Sequence, residues 1–319
     1  MSDNAQTTAW LFPGQGSQVV GMGRDLLASY APAREVLAVA SEMAGVDLDR
    51  IIARGPDALL TRTDNLQPAL TAINLGCCLL LKESGIPVHV VAGHSLGEFS
   101  ALYAAGVLNL DDVLRLVVTR ARLMHEVSST LDGGMLAIKG IADDVIKAVV
   151  AQVAVSHVVG IANYNTATQT VLSGERDGLA QIASTLEGQD GQVIPLNVSG
   201  PWHSPLLASA AERFVEALRG AQFHDASVPV ILNVTGAATK NAAEIREKME
   251  IQLCSPVQWK TVQYTLVDSG VKRIIEVGPG KVLRGLSRGI PELAGCEVVN
   301  VDGPRSLRFL SASPDKAVV

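Results

Sequence analysis

A chain of 319 residues, 48% hydrophobic and 18% charged, carries enough apolar material for one or two packed domains and excludes a disordered protein. A formal net charge of −6 with no basic run argues against a nucleic-acid binder. The opening MSDNAQTTAW lacks the basic-then-apolar order of a secretory signal, and no apolar run is long enough to span a bilayer. A cytoplasmic protein with no membrane contact is expected.

The first predicted strand is Thr8 to Phe12, which delivers the loop Pro13-Gly14-Gln15-Gly16-Ser17-Gln18. That loop lacks the Lys-Ser/Thr of a phosphate-binding loop and the spacing of a dinucleotide fingerprint. It reads either as a plain tight turn or as glycines that bring an amide, such as that of Gln15, close to a substrate oxygen. Residues 22–54 read as two or more helices, and Asn65-Leu66-Gln67-Pro68 introduces an apolar helix from Ala69 to Leu81. A buried strand follows at Val88 to Ala92, then a helix from Glu98 to Ala105. Asn109 to Asp112 supply caps for a helix over 111–128.

At Asp132-Gly133-Gly134 the pattern changes. Strands are predicted at 134–140, 156–162, 168–173 and 190–196, with helices at 142–152 and 176–187. This β-α-β-β-α-β order is that of a ferredoxin-like unit. The larger α/β pattern resumes with a helix near 205–219, a strand at 228–233, helices near 242–253 and 258–269, a strand at 272–277 and a helix from about Lys281. The tail after Val301 reads as peripheral.

The junction between strand 88–92 and helix 98–105 carries Gly93-His94-Ser95-Leu96-Gly97. A G-x-S-x-G sequence between a strand and a helix is the setting in which a serine is held exposed on a sharp turn. The glycines leave room for the backbone to double back, and the helix start points free N–H groups at the serine, so the Leu96 amide is placed to stabilise an oxyanion. By chance alone a five-residue match is possible, so a base is needed. Of the six histidines, His89 lies within the strand and is expected to point away, and His94 is expected to support the turn. His125, His157 and His224 carry no local signal. His203, in Ser199-Gly200-Pro201-Trp202-His203-Ser204, sits at the seam where the inserted unit returns, where pockets tend to form. These residues alone leave it as base or surface histidine. Likewise Arg115, Arg120 and Arg122 share one helix, on which most arginines are simply solvated. The four cysteines form no C-x-x-C and no metal-ligand spacing with histidine, so no structural zinc is expected.

Taken together, LFPGQGSQ (11–18), GHSLGE (93–98), Arg120 in TRARLM, NYN (163–165), GPWHS (200–204) and EVGPGKVL (276–283) resemble the malonyl-CoA:acyl-carrier-protein transacylase family, which includes the acyltransferase domains of polyketide synthases. The likeness runs from about Trp10 to Val301. It implies an α/β fold: an α/β-hydrolase-like large subdomain (1–130 and 199–319) with an inserted ferredoxin-like small subdomain (131–198). It implies Ser95 as nucleophile, His203 as base oriented by the main-chain carbonyl of Gln252, and the amides of Leu96 and Gln15 as oxyanion hole. Arg120 would grip the substrate carboxylate, with Gln67 and His94 as polar support.

The chemistry so implied is ping-pong transfer of malonyl from malonyl-CoA to the phosphopantetheine thiol of an acyl carrier protein, without metal or other cofactor, by a protein that is monomeric. Trp202 stands where malonyl-using members usually have Phe, and its bulk is expected to disfavour a branched acyl group. Lys281, Arg284 and Arg288 are expected to face an acidic carrier. An acyl hydrolase that clears carrier proteins, or a non-catalytic carrier-docking subunit, are the alternatives; retention of Ser95, His203 and Arg120 argues against both.

Overall fold

The computed structural model describes residues 7–311. In chain order its strands are β1 (Thr8–Phe12), β2 (Val90–Gly93), β3 (Gly133–Lys139), β4 (Val159–Thr166), β5 (Gln169–Glu175), β6 (Gln192–Pro195), β7 (Val230–Ile231), β8 (Ala238–Thr239), β9 (Arg273–Val277) and β10 (Glu297–Val301). Among the described residues they form two sheets, in the orders β10-β9-β1-β2-β7-β8 and β4-β5-β3-β6. The first is parallel apart from β8, and the second is wholly antiparallel.

β1 is buried on both faces, as expected of a central parallel strand. Its alternation divides the core. Trp10 and Phe12 point into one apolar layer with the helices Ala31–Ala44, Thr63–Glu83 and Leu110–Ser128. Ala9 and Leu11 point into the other, with Trp259, Val262 and Leu266 of the helix Trp259–Asp268. The antiparallel sheet has a separate core, in which Leu136, Ile138 and Leu172 meet Ile146, Leu179 and Ile182 of its two helices. Its strand order is the ferredoxin-like one expected from the β-α-β-β-α-β pattern.

Most elements lie within a few residues of their expected positions, and three differ in an instructive way. The helix expected from Ala69 begins at Thr63 and carries Pro68 inside it. Pro68 forfeits one backbone bond, but complete burial of Leu66 through Ile73 outweighs that loss. The strand expected over 228–233 keeps ladder pairing only at Val230 and Ile231, because the chain then turns through Leu232 to Ala237. β10 has no counterpart among the expected strands, and the tail is not peripheral. The helix Pro304–Ser311 follows β10, buries Leu310 and sets Arg305 against Asp25.

The parallel sheet decides where chemistry can occur. β1, β2, β7 and β9 all end at one edge, so the loop 13–18, the Ser95 turn, Asn233 and Gly278-Pro279-Gly280 gather there, as ligand-binding loops do at the carboxyl ends of such strands. The second sheet covers the same edge. Tyr164 N–H donates to Val257 C=O and Val257 N–H to Ala162 C=O, which ties β4 to the large unit.

Candidate active site

Ser95 sits between β2 and the helix Gly97–Ala104 with φ 51°, a left-handed conformation that costs an L-residue about 1–2 kcal/mol. The surrounding glycines make the turn possible. A Cβ on Gly97 would lie 2.0 Å from Phe12 C=O, and one on Gly93 would lie 2.0 Å from the Gly97 carbonyl. A Cβ on Gly14 would meet His94 C=O at 2.3 Å and Leu96 N at 3.6 Å. The loop 13–18 therefore lies directly against the elbow, with Gln15 on the wall of the same cleft as Ser95. Neither the Gln15 nor the Leu96 amide donates to another protein group among the described residues. The Ser95 amide is already taken, since it donates to Asn233 Oδ1 at 2.7 Å.

His203 approaches from the seam of the two units, also with a positive φ of 57°. Its Nε2 lies 2.6 Å from Ser95 Oγ, and its Nδ1 faces the main-chain carbonyls of Gln252 at 3.1 Å and Ser255 at 3.0 Å. Two acceptors at Nδ1 fix the tautomer: the proton sits on Nδ1 and Nε2 is free to accept from the serine. Burial, reinforced by the positive charge of Arg120 and by His94, pushes the His203 pKa down to about 3. Its imidazole is therefore neutral at physiological pH.

Arg120 has no solvent exposure. It projects from the buried stripe of the helix Leu110–Ser128, in register with Val113, Leu116, Val117 and Met124, whereas Arg115 pairs with Asp112 at the surface and Arg122 caps the Met43 and Ala44 carbonyls. Its Nη1 donates to Gln67 Oε1 at 2.6 Å, and its Nη2 reaches Ser95 Oγ at 3.3 Å and Gln252 Oε1 at 3.4 Å. Its guanidinium lies beside the Phe99 ring, and its Nε has no partner. Burial lowers its pKa to about 10, opposed by the charge of Glu98, so it stays cationic. No carboxylate lies within 4 Å of it among the described residues.

A cleft of about 190 Å³ opens over Ser95, walled by the loop 13–18, by Asn163, Asn165 and Gln169 of the antiparallel sheet, by Trp202 and His203, and by Val282 to Leu286. Gln67 does not line it: it stands behind Arg120 and is held by Thr63 and Met124. The His94 ring does line it, but is held by Asn165 Oδ1 at 3.0 Å and by Trp259, so it bridges to the inserted sheet rather than bracing its own turn. Trp202 is buried on the wall with an unpartnered indole N–H. His89, His125, His157 and His224 lie elsewhere; His89 accepts from the Thr8 amide at the other end of the sheet.

Sequence reasoning missed Ser255, Asn165, Asn233 and Glu98. Of these Asn165, Glu98 and Ser255 stand inside stretches that carry the resemblance, NYN, GHSLGE and the IQLCSPVQW around Gln252, but received no role; Asn233 carries no local signal. No helix among the described residues is long and apolar enough to cross a membrane, and no group of three or more His, Cys, Asp or Glu there could hold a metal ion.

A serine on a strand–helix elbow, a histidine oriented through Nδ1 and two unengaged amides constitute the apparatus of acyl-transferring serine enzymes. Comparison with known proteins narrows the class. Residues 9–303 match the acyl transferase domain. The malonyl CoA-acyl carrier protein transacylase of Bacillus subtilis is 41% identical over 285 residues, covering 88% of this chain and 90% of that protein. The crystal structure of malonyl-CoA:acyl carrier protein transacylase from Xanthomonas oryzae superposes with a TM-score of 0.90 at 37% identity, over 97% of this chain and 98% of that one. A malonyl-transacylase solved with a type II polyketide synthase acyl carrier protein gives 0.90 at 33% identity, over 95% and 98%. The chain belongs to the malonyl-CoA:acyl-carrier-protein transacylase family of acyl transferase domains, and it is an acyltransferase.

Proposed function

We propose that the protein moves a malonyl group from malonyl-CoA to the phosphopantetheine thiol of an acyl carrier protein. Ser95 Oγ attacks the thioester carbonyl while its proton passes to His203 Nε2. The oxyanion is received by the Leu96 and Gln15 amides, and coenzyme A departs as the thiol with the proton from His203. The carrier thiol then gives its proton to His203 and attacks the Ser95 ester, which restores the serine. The reaction consumes no cofactor beyond the thioester.

The observation that carries this reading is the buried Arg120 guanidinium, 3.3 Å from the nucleophile and, among the described residues, in direct contact with no carboxylate. A cation beside a nucleophile with no carboxylate in direct contact favours a substrate that brings its own, which a guanidinium binds through two charge-assisted bonds. The carboxylate meets Arg120 only after passing the serine, so the acyl group lies with its thioester toward the cleft mouth. That mouth presents Val282, exposed, with Lys281 and Arg288 exposed beside it and Arg284 half-buried. These cations are suited to an acidic carrier, and the transacylase complex with a carrier protein supports such a partner. We take the enzyme to act as a monomer in the cytoplasm, which light scattering and cell fractionation test.

The deciding experiment is intact-protein mass spectrometry after incubation with malonyl-CoA, acetyl-CoA and methylmalonyl-CoA. A malonyl adduct on Ser95, transferable to a carrier protein and lost in Arg120→Ala, is the expected result. Uptake of acetyl or longer groups followed by release to water makes the protein a hydrolase instead.

A further inference from the structure

Glu98 is a fully buried carboxyl in the first turn of the helix Gly97–Ala104, directly beneath the nucleophile. Each of its oxygens accepts one donor: Oε1 the Asn233 backbone N–H at 2.9 Å, and Oε2 the Gln252 Nε2 at 3.0 Å. Each of those partners in turn holds one backbone group of Ser95. Asn233 Oδ1 accepts the Ser95 N–H at 2.7 Å, and Gln252 Nε2 donates to the Ser95 C=O at 3.0 Å. The left-handed serine is thus clamped from both sides by the side chains of two residues that share one carboxylate, Asn233 through its main chain and Gln252 through its amide.

Gln252 has a second task. Its Oε1 accepts from Arg120 Nη2, and its main-chain carbonyl accepts from His203. A carboxamide has one donor end and one acceptor end. With a guanidinium on one side and a carboxylate on the other, only one orientation satisfies both. The chain of donors runs from Arg120 through Gln252 to Glu98, and it fixes the base, the nucleophile and the cation relative to one another.

We infer that Glu98 is a positioning residue of the acyl-transfer reaction: through Asn233 and the Gln252 side chain it holds the Ser95 turn and sets the face that Gln252 presents to Arg120. This rests on the acyl-serine reading above. Adding a proton to Glu98 turns one acceptor oxygen into a donor facing an N–H, which loosens a clamp. Burial lifts the Glu98 pKa to about 7, opposed by its bonds to Asn233 and Gln252 and by the Arg120 charge. The other ionisable groups at the site are Arg120, His203 and His94; His203 is held neutral far below this range, and burial lowers His94 as well. An acid limb of the acylation rate near neutral pH therefore belongs to Glu98 and not to the base.

The test is single-turnover acylation of Ser95 by malonyl-CoA from pH 5 to 9, with thermal melts at each pH, for wild type, Glu98→Gln, Gln252→Met and the double variant. Gln252→Met removes the amide while keeping the main-chain carbonyl that His203 uses. Each single variant is expected to slow acylation by roughly tenfold or more, as small misplacements of a nucleophile do. The double variant should lose no more than either single one, because the residues act as a unit. The acid limb should vanish in Glu98→Gln. A wild-type rate in either single variant, multiplicative losses, or an unchanged acid limb in Glu98→Gln overturns the inference. If Glu98→Gln does not fold, Glu98→Asp takes its place: the shorter side chain draws the carboxylate back from Asn233 and Gln252, and a wild-type acylation rate in that variant overturns the inference. A fluorophosphonate probe reads Ser95 reactivity without any acyl donor: wild type that takes the probe but no malonyl refutes the proposed substrate, whereas probe labelling as fast in the variants as in wild type refutes the role of Glu98.

Discussion

The Ser95 amide donates to Asn233 Oδ1 at 2.7 Å, and this single contact decides which backbone groups remain for the substrate. The other end of the Asn233 amide donates to Gly93 C=O at 2.6 Å, so one side chain staples both arms of the elbow. Its main chain is equally committed, donating to Glu98 and accepting from Gln258. The Ser95 amide is thus withheld from an oxyanion, while the amides of Leu96 and Gln15 stay unengaged, as the proposed oxyanion hole requires. Replacing Asn233 by Ala leaves a buried donor and a buried acceptor without partners, each costing about 1–3 kcal/mol. Urea melts should register that loss, and single-turnover acylation should slow by roughly tenfold or more as Ser95 relaxes from φ 51°. Wild-type acylation in a folded Asn233→Ala protein would show that the turn holds itself.

The glycines of the elbow are required for space, unlike glycines that are required for a positive φ. A methyl at Gly97 meets the Phe12 carbonyl at 2.0 Å and the Pro13 carbonyl at 2.9 Å, both backbone atoms that cannot yield without moving the loop that carries Gln15. Gly97→Ala should cost about 4 kcal/mol or more and abolish acylation. Gly106, by contrast, has a positive φ of 76°, but nothing lies within 4 Å of its absent Cβ. Gly106→Ala should cost only the about 1–2 kcal/mol of left-handed strain and leave activity intact. Equal destabilisation in the two variants would contradict the packing argument.

His203 gives a pH signature with a definite sign. Its folded pKa is depressed to about 3, while a histidine in the unfolded chain titrates near 6.5. Between those values the unfolded chain binds the extra proton, so this contribution to stability is intact above about pH 6.5 and is lost as the pH falls toward 3. His203→Gln removes the titration. Urea melts at pH 7 and pH 4.5 should show wild type losing stability relative to His203→Gln, and parallel losses would mean that the histidine is not held neutral.

What could be read from the residues was what is encoded locally. The strand–turn–helix around Ser95 and the β-α-β-β-α-β order of 133–195 depend on short-range patterning, and both are present. Arg120 was singled out only through the family resemblance, although its place on the apolar stripe shared with Val113, Val117 and Met124 sets it apart from Arg115 and Arg122. Asn233 was not, because it meets Ser95 across 138 positions of sequence, and nothing in Ile231-Leu232-Asn233-Val234 marks the asparagine. β10 escaped because Glu297–Val301 is an edge strand, half-buried along most of its length, with Glu297 and Asn300 interrupting its apolar character. Its Asn300 instead bonds the Glu276 and Gly278 carbonyls beside the Gly278-Pro279-Gly280 turn.

Trp202 fixes the width of the cleft. Its indole packs so closely on the backbone that a Cβ on Gly200 would fall 2.6 Å from its ring, and its N–H finds no acceptor. Trp202→Phe shortens the wall and removes that unpaired donor, so the loss of packing is partly offset and the protein should remain folded. Trp202→Ala leaves a larger void and should cost about 3–5 kcal/mol. In a cleft of about 190 Å³, the space released by Phe is comparable to the added methyl of a branched substrate. The ratio of kcat/KM for methylmalonyl-CoA over malonyl-CoA should rise roughly tenfold in Trp202→Phe, the scale on which one methyl group is discriminated by a hydrophobic wall. Arg120 still meets the carboxylate in that variant, so acetyl-CoA should remain a poor donor. A ratio unchanged by Trp202→Phe would shift the control of acyl width to Met135 of β3 and to Leu196 and Val198 just past β6.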